Sequence, residues 1–211
     1  MEVAPLLDRL RTRLASCLSA VGSFFARLEF SPTAWTVVGV AVSLLAAWSY
    51  STGGYSGELL GGVLILVSGW FDIVDGAVAR ATGRTSAAGA FLDSNLDRVA
   101  EVALFSGILL GGYAAPPAVL LALSLSLLVS YARAKGDALG VKLAGVGIGE
   151  RSERLIILAV SSIVGLVGWG VLLVLAVAAF TFVERSYTAL RGLGAAAKPK
   201  PISTEPAAPS P

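Results

Sequence analysis

The chain contains no histidine. That absence removes a Ser-His-Asp site, a histidine general base and a His-ligated zinc. A single cysteine, Cys17, excludes an internal disulfide and a cysteine-rich metal cluster. Charge is scarce as well: 14% of the 211 residues are charged, against about 25% in an ordinary soluble domain. Apolar residues make up 55%, and the mean hydropathy is +0.79. That balance excludes a disordered chain, a nucleic-acid-binding domain and most soluble enzymes. A polytopic membrane protein remains, with chemistry that must rest on Asp, Glu, Lys, Arg and hydroxyl groups. The net charge of +2 implies no polyanionic partner.

A helix needs about 20 apolar residues to cross a hydrocarbon core of ~30 Å. Six segments qualify, at roughly 33–50, 58–80, 91–112, 116–135, 152–169 and 171–190. Gly53-Gly54, Gly111-Gly112, Pro116-Pro117 and the glycines from Gly168 to Gly170 punctuate them. Ahead of these, residues 4–28 place Leu7, Leu10, Leu14, Leu18, Val21 and Phe25 three and four apart, with Arg9, Arg11 and Arg13 on the polar side. Such a pattern predicts an amphipathic helix lying in the membrane interface. Asp8 and the three Arg interrupt the stretch that a cleavable signal peptide would keep apolar. Five of the nine prolines fall in 199–211, which predicts a disordered tail without chemistry. The expected organisation is all-α: an interfacial helix in 1–32, a six-helix transmembrane catalytic domain in 33–194, and the tail in 195–211.

All sixteen Lys and Arg lie in residues 1–32, around the second-to-third and fourth-to-fifth connections, or at the C-terminal end. The other three connections hold none. By the positive-inside rule, both termini and the two charged connections face the cytoplasm, an arrangement that six spans permit. A multi-pass protein of the cytoplasmic membrane follows.

Ionisable residues inside membrane segments are costly and mark function. Asp72 and Asp75 are three apart near the end of the second span, and Asp93 and Asp97 are four apart near the start of the third. Each pair shares a helix face, and the short connection brings both to one side of the membrane. Four bare carboxylates so close would repel or take up protons unless divalent cations compensate them. Oxygen donors without His or Cys suit Mg²⁺ or Mn²⁺. Gly76 opens space beside Asp75, Arg80 lies one turn further, and Gly83, Thr85 and Ser86 offer donors to a phosphate. Two metals and an Arg can clamp a diphosphate for in-line displacement. Structural ion pairs and a transporter's cation pathway are the alternatives. Four Asp against one well-placed Arg is poor balance for the first. For the second, a through-path needs charges strung across the membrane depth.

The pattern Asp72-x2-Asp75-Gly76-x2-Ala79-Arg80-x8-Gly89-x3-Asp93-x3-Asp97 resembles the signature of the CDP-alcohol phosphotransferase family at all eight fixed positions. Ser31, Pro32 and Thr36 ahead of it fit the same family. The resemblance implies transfer of a phosphatidyl-type group from a CDP-linked lipid, based on diacylglycerol or archaeol, to an alcohol, with release of CMP. It implies two Mg²⁺ or Mn²⁺ ions on Asp72, Asp75 and Asp93, with Asp97 at the edge as both ligand and general base. Thr33, Thr36, Asp72, Gly76, Arg80 and Ser86 would hold the cytidine diphosphate, and a homodimer is expected. The base assignment also has a physical reason: the acceptor hydroxyl must lose a proton, and without histidine a carboxylate must take it.

The fourth-to-fifth connection clusters Arg133, Lys135, Arg151 and Arg154 on the side of the Asp residues, with Glu150 and Glu153 among them. With Arg191, these predict a basic pocket for an acceptor that already carries a phosphate. The stretch is similar to the inositol-phosphate synthase branch of the family, which makes inositol phosphate the expected acceptor. Glycerol 3-phosphate and serine are the competing acceptors.

Overall fold

Ser31 and Pro32 start the first long helix. The Ser31 hydroxyl accepts a hydrogen bond from the Ala34 amide at 3.2 Å, and proline suits the first helical turn. In the computed structural model, which describes residues 20–196, every regular element is an α-helix. These are α1 (20–26), α2 (Pro32–Ser51), α3 (Gly54–Ala81), α4 (Ala87–Leu110), α5 (Pro116–Ala138), α6 (Arg151–Ile163) and α7 (Val167–Ala196). The charged part of the expected interfacial helix, with Arg9, Arg11 and Arg13, and the proline-rich tail lie outside the described residues.

Helix α2 packs against α3 and α4, while α5 packs against α7, and α6 joins the two groups by lying on both α3 and α7. Tyr50, Leu104, Phe105, Ile108, Leu158 and Val174 form the core between them. Lipid tails are as apolar as leucine, so small residues and interhelical hydrogen bonds carry much of the packing here. A Cβ at Gly107 would collide with the Ala47 backbone, which shows how closely α4 approaches α2. The Tyr50 hydroxyl pairs with Ser162 at 2.6 Å, tying α2 to α6. Buried Glu58 accepts from the Val167 amide at 2.5 Å and so caps α7 from α3.

Among the described residues, α2, α3, α5 and α7 are long and apolar enough to cross a membrane. The two remaining helices of this series fall short for different reasons: α4 for its charges, and α6 because it has 13 residues. Helix α4 carries Asp93, Asp97, Arg98 and Glu101, and α6 carries Arg151, Glu153 and Arg154. Inside the bundle Asp97 pairs with Arg151, and Glu101 pairs with Arg154. One boundary differs from the sequence expectation. The break between the last two helices falls at residues 164–166, where Gly165 takes φ +76°, and Gly168 and Gly170 lie inside α7. The Leu166 amide closes the end of α6 on the Ser161 carbonyl at 2.7 Å. Helix α6 therefore has 13 residues, about 20 Å at 1.5 Å per residue.

A buried polar link ties α6 to α4. Arg154 of α6 reaches Glu101 of α4 through Nε at 3.2 Å and Nη2 at 2.7 Å, with both side chains 1% exposed. Its third nitrogen donates to the Gly149 carbonyl at 2.6 Å. Removing one partner of such a pair strands a buried charge, at a cost of about 3–5 kcal/mol. Thermal unfolding in detergent is therefore expected to show a large loss for Arg154→Met, most of it recovered in Arg154→Met/Glu101→Leu.

Candidate active site

The last turns of α3 and the first turns of α4 lie at one end of the bundle because a short turn at Gly83, φ +64°, joins the two helices. Ser86 caps α4 by accepting from the Gly89 amide at 3.0 Å. Beside them stands the N-terminus of α2. Two helix N-termini, each with unpaired amides and a positive dipole end, thus flank the C-terminal turns of α3, an arrangement suited to an anion.

A cavity of about 400 Å³ fills this space. Five of the six residues expected to hold the nucleotide, Thr33, Thr36, Gly76, Arg80 and Ser86, line it, together with Asp75 and Asp93. The sixth, Asp72, is not among its lining residues; it borders a small polar recess shared with Asp75, Asp97 and Arg151. The guanidinium of Arg80 folds back over Gly76, where an added Cβ would stand 3.3 Å from Nη1. The missing side chain therefore lets Arg80 lie along its own helix and into the cavity. Ser31, Arg84 and Gly89 line the same space, and the basic Arg84 had registered in the sequence only as topological charge.

Asp72, Asp75 and Asp93 each offer a carboxylate oxygen within 4.8 Å of the others. Asp75 Oδ2 and Asp93 Oδ1 are buried with no hydrogen-bond partner. Buried carboxylate oxygens left unpaired are costly, and a hard divalent cation is the partner that an all-oxygen set fits. Asp97 stands outside this group. Its Oδ1 lies 2.7 Å from Arg151 Nη1, and the same nitrogen lies 3.1 Å from Asp72 Oδ2. Arg98 approaches Asp97 at 3.6 Å.

The basic residues expected around an acceptor divide. Arg151 is at the carboxylates. Arg133 is exposed and pairs with Glu150 at 3.4 Å, one residue from Arg151. Lys135 is exposed further along α5, and Arg191 lies over the Tyr187 ring at 4.8 Å. Arg154 is turned away, with all three nitrogens engaged by Glu101 and Gly149. Sequence reasoning missed Arg185, which is 2% exposed and donates to the Val146 and Val129 carbonyls at 2.9 and 3.0 Å and to Glu150 at 3.1 Å. It pins the loop before α6 to α7. Glu101, one turn beyond Asp97 on the same face of α4, was the available signal for Arg154's partner.

Residues 29–183 match the family described as CDP-alcohol phosphatidyltransferase. The archaetidylinositol phosphate synthase of Pyrococcus horikoshii is 35% identical over 188 residues, covering 89% of this chain and 98% of that protein. The crystal structure of Mycobacterium tuberculosis phosphatidylinositol phosphate synthase with CDP-DAG bound superimposes with a TM-score of 0.71 at 27% identity, covering 82% of this chain and 92% of that one. The same enzyme in complex with manganese and citrate gives a TM-score of 0.70 at 27% identity, covering 82% and 88%.

Calorimetric titration of the purified protein with Mn²⁺ is expected to show binding that Asp72→Asn and Asp93→Asn each weaken about tenfold or more, the scale of one lost charged contact. Asp97→Asn, outside the three-carboxylate group, is expected to weaken it less.

Proposed function

The chain belongs to the CDP-alcohol phosphatidyltransferase family, and from that premise we propose that it transfers a phosphatidyl-type group from a CDP-linked lipid to inositol phosphate, releasing CMP. The observation that carries this reading is the cavity in which nucleotide-site residues and two of the three clustered carboxylates share one wall, with Arg133 and Arg151 nearby on the acceptor side.

Thr33, Thr36, Gly76, Arg80 and Ser86 bind the cytidine diphosphate, with Asp72 at its edge. The amides at the starts of α2 and α4 and the Arg80 guanidinium face its phosphates. Asp72, Asp75 and Asp93 are the ligands of Mg²⁺ or Mn²⁺, two ions in all, with Asp97 as a further contact. A bound cation there supplies charge neutralisation for the diphosphate and for the oxygen that leaves with CMP. Arg133, Arg151, Lys135 and Arg191 steer and hold the acceptor phosphate, while Arg154 acts from behind by fixing α6 as a positioning residue. The acceptor hydroxyl then attacks the lipid-bearing β-phosphorus. One P–O bond forms, the bond to the oxygen bridging to the α-phosphorus breaks, and Asp97 takes the hydroxyl proton.

The same proposal places α2 to α7 as six spans, with the region of α1 in the interface and both termini and the site facing the cytoplasm. The distribution of Lys and Arg supports that side. Charges on α4 and α6 pair with one another at Asp97–Arg151 and Glu101–Arg154, which supports counting both helices within the membrane-embedded bundle. A homodimer is carried over from the family resemblance. Donors based on archaeol and on diacylglycerol present equivalent headgroups to these residues.

Glycerol 3-phosphate is the second reading, since the basic groups would hold its phosphate equally. CMP release under saturating CDP-lipid is expected to be fastest with inositol phosphate, slower with glycerol 3-phosphate and poor with free inositol or serine. Comparable rates with free inositol or serine would overturn the basic-pocket argument, and a lead for glycerol 3-phosphate would overturn the inositol reading. Arg133→Ala is expected to raise the acceptor KM by roughly 10- to 100-fold, the worth of one charge-assisted phosphate contact, with the donor KM little changed.

A further inference from the structure

Asp72 belongs to two arrangements. It is one of three carboxylates gathered within 4.8 Å, and it is also ion-paired with Arg151 at 3.1 Å. The guanidinium bridges Asp72 and Asp97 through one nitrogen, Nη1, and its Nε is buried with no hydrogen-bond partner. A guanidinium settled as a structural partner normally uses its fork, two parallel N–H donors on one carboxylate. Arg154, three residues on, engages every nitrogen it has. The contrast marks Arg154 as the anchor of α6 and Arg151 as a side chain resting on a charge that another cation can take.

The backbone beneath Arg151 is fixed independently of where its side chain goes. The Glu150 amide donates to Glu153 at 2.7 Å, and the Glu150 carboxylate is held by the Gly145 amide, Arg133 and Arg185. Arg154 locks the following turn to Glu101. Rotation of the Arg151 side chain therefore disturbs neither α6 nor its loop, and the exposed Arg133 stands beside the pivot.

Resting on the acceptor role given to Arg151 above, we propose that Arg151 and the divalent cation are alternative partners of Asp72, and that Arg151 gives up Asp97 as it leaves. In the cation-free protein the guanidinium serves as the counter-ion of the cluster. When the carboxylates are taken by the cation, Arg151 leaves both, turns toward the acceptor phosphate beside Arg133, and uncovers Asp97 for its proton. The acceptor site is then complete only after the cation site is filled. By linkage, the acceptor tightens cation binding by the same factor that the cation tightens acceptor binding. The idea also explains why Asp97 stands apart from the three-carboxylate group while Arg151 holds it.

Calorimetric titration of Mn²⁺ into purified wild type, Arg151→Gln, Arg151→Lys and Arg98→Gln tests this without turnover. Losing a competing charge-assisted contact is expected to tighten Mn²⁺ binding by Arg151→Gln about tenfold or more. Arg151→Lys should fall between it and wild type. Arg98→Gln removes the same formal charge beside Asp97 without touching Asp72, and should change the affinity by about fivefold or less. Inositol phosphate should bind wild type more tightly with Mn²⁺ present than with chelator. Unchanged or weaker Mn²⁺ binding in Arg151→Gln overturns the competition. Tighter Mn²⁺ binding, with equal inositol phosphate affinity in wild type and Arg151→Gln, leaves the competition standing and overturns the acceptor role of Arg151.

Discussion

Like charges crowded at the edge of a low-dielectric bundle are the constraint to which the rest of the molecule answers. Asp72, Asp75 and Asp93 bring oxygens within 4.8 Å of one another, and two of those residues keep a buried oxygen without a partner. Two unit charges 4 Å apart repel by about 4 kcal/mol at an effective dielectric of 20. Helix packing has to oppose that push. The close approach of α2 to α4 at Gly107 helps, as does the Ser43–Ser68 hydroxyl pair at 2.5 Å between α2 and α3. On the far side, Arg154 clamps α6 to α4 at Glu101. Strain concentrated at a site and compensated by surrounding packing is the usual relation between function and stability.

The division of labour between two neighbouring arginines follows from burial. Arg154 is 1% exposed and saturated with partners, whereas the Arg151 side chain is 16% exposed, and its one bonded nitrogen is shared by two carboxylates. Only three residues separate them on α6, so the turn that Arg154 fixes also sets where Arg151 stands. Arg185 of α7 does for the preceding loop what Arg154 does for the helix, donating to Glu150 and the Val146 carbonyl of that loop and to the Val129 carbonyl of α5. The cavity is thus lined by α2, α3 and α4, while Arg133, Arg151 and Arg191 come from α5, α6 and α7.

Much of this was legible before any coordinates. The spacing of Asp72, Asp75, Asp93 and Asp97 needs only helical periodicity and one short turn, and α3 and α4 supply both. Gly76, Arg80 and Ser86 share one cavity because they lie on one contiguous α3–turn–α4 stretch, and Thr33 and Thr36 join them only through the packing of α2 against both helices. The acceptor side was harder. Whether an arginine faces a cavity or a buried glutamate depends on helix rotation and long-range packing, so Arg151 and Arg154 looked alike in sequence. Arg185 was hidden for a related reason: a basic residue near the end of a span satisfies the positive-inside rule whether it is solvated or buried. The break at Gly165 was misplaced because three positions in 168–170 include two glycines, while the actual stop needs one glycine at positive φ.

The central claim is that the carboxylate cluster is held against its own repulsion and is relieved by a divalent cation. Thermal unfolding of purified wild type and Asp75→Asn, each with chelator and with saturating Mn²⁺, tests it most directly. Asp75 is 7% exposed, with one oxygen unpaired. Neutralising it should raise the cation-free midpoint above that of wild type. Wild type itself should gain from Mn²⁺, by about 2.7 kcal/mol at a hundred times the dissociation constant, and the variant should lose most of that gain. A cation-free midpoint for Asp75→Asn at or below that of wild type, or a wild type indifferent to Mn²⁺, would contradict the account.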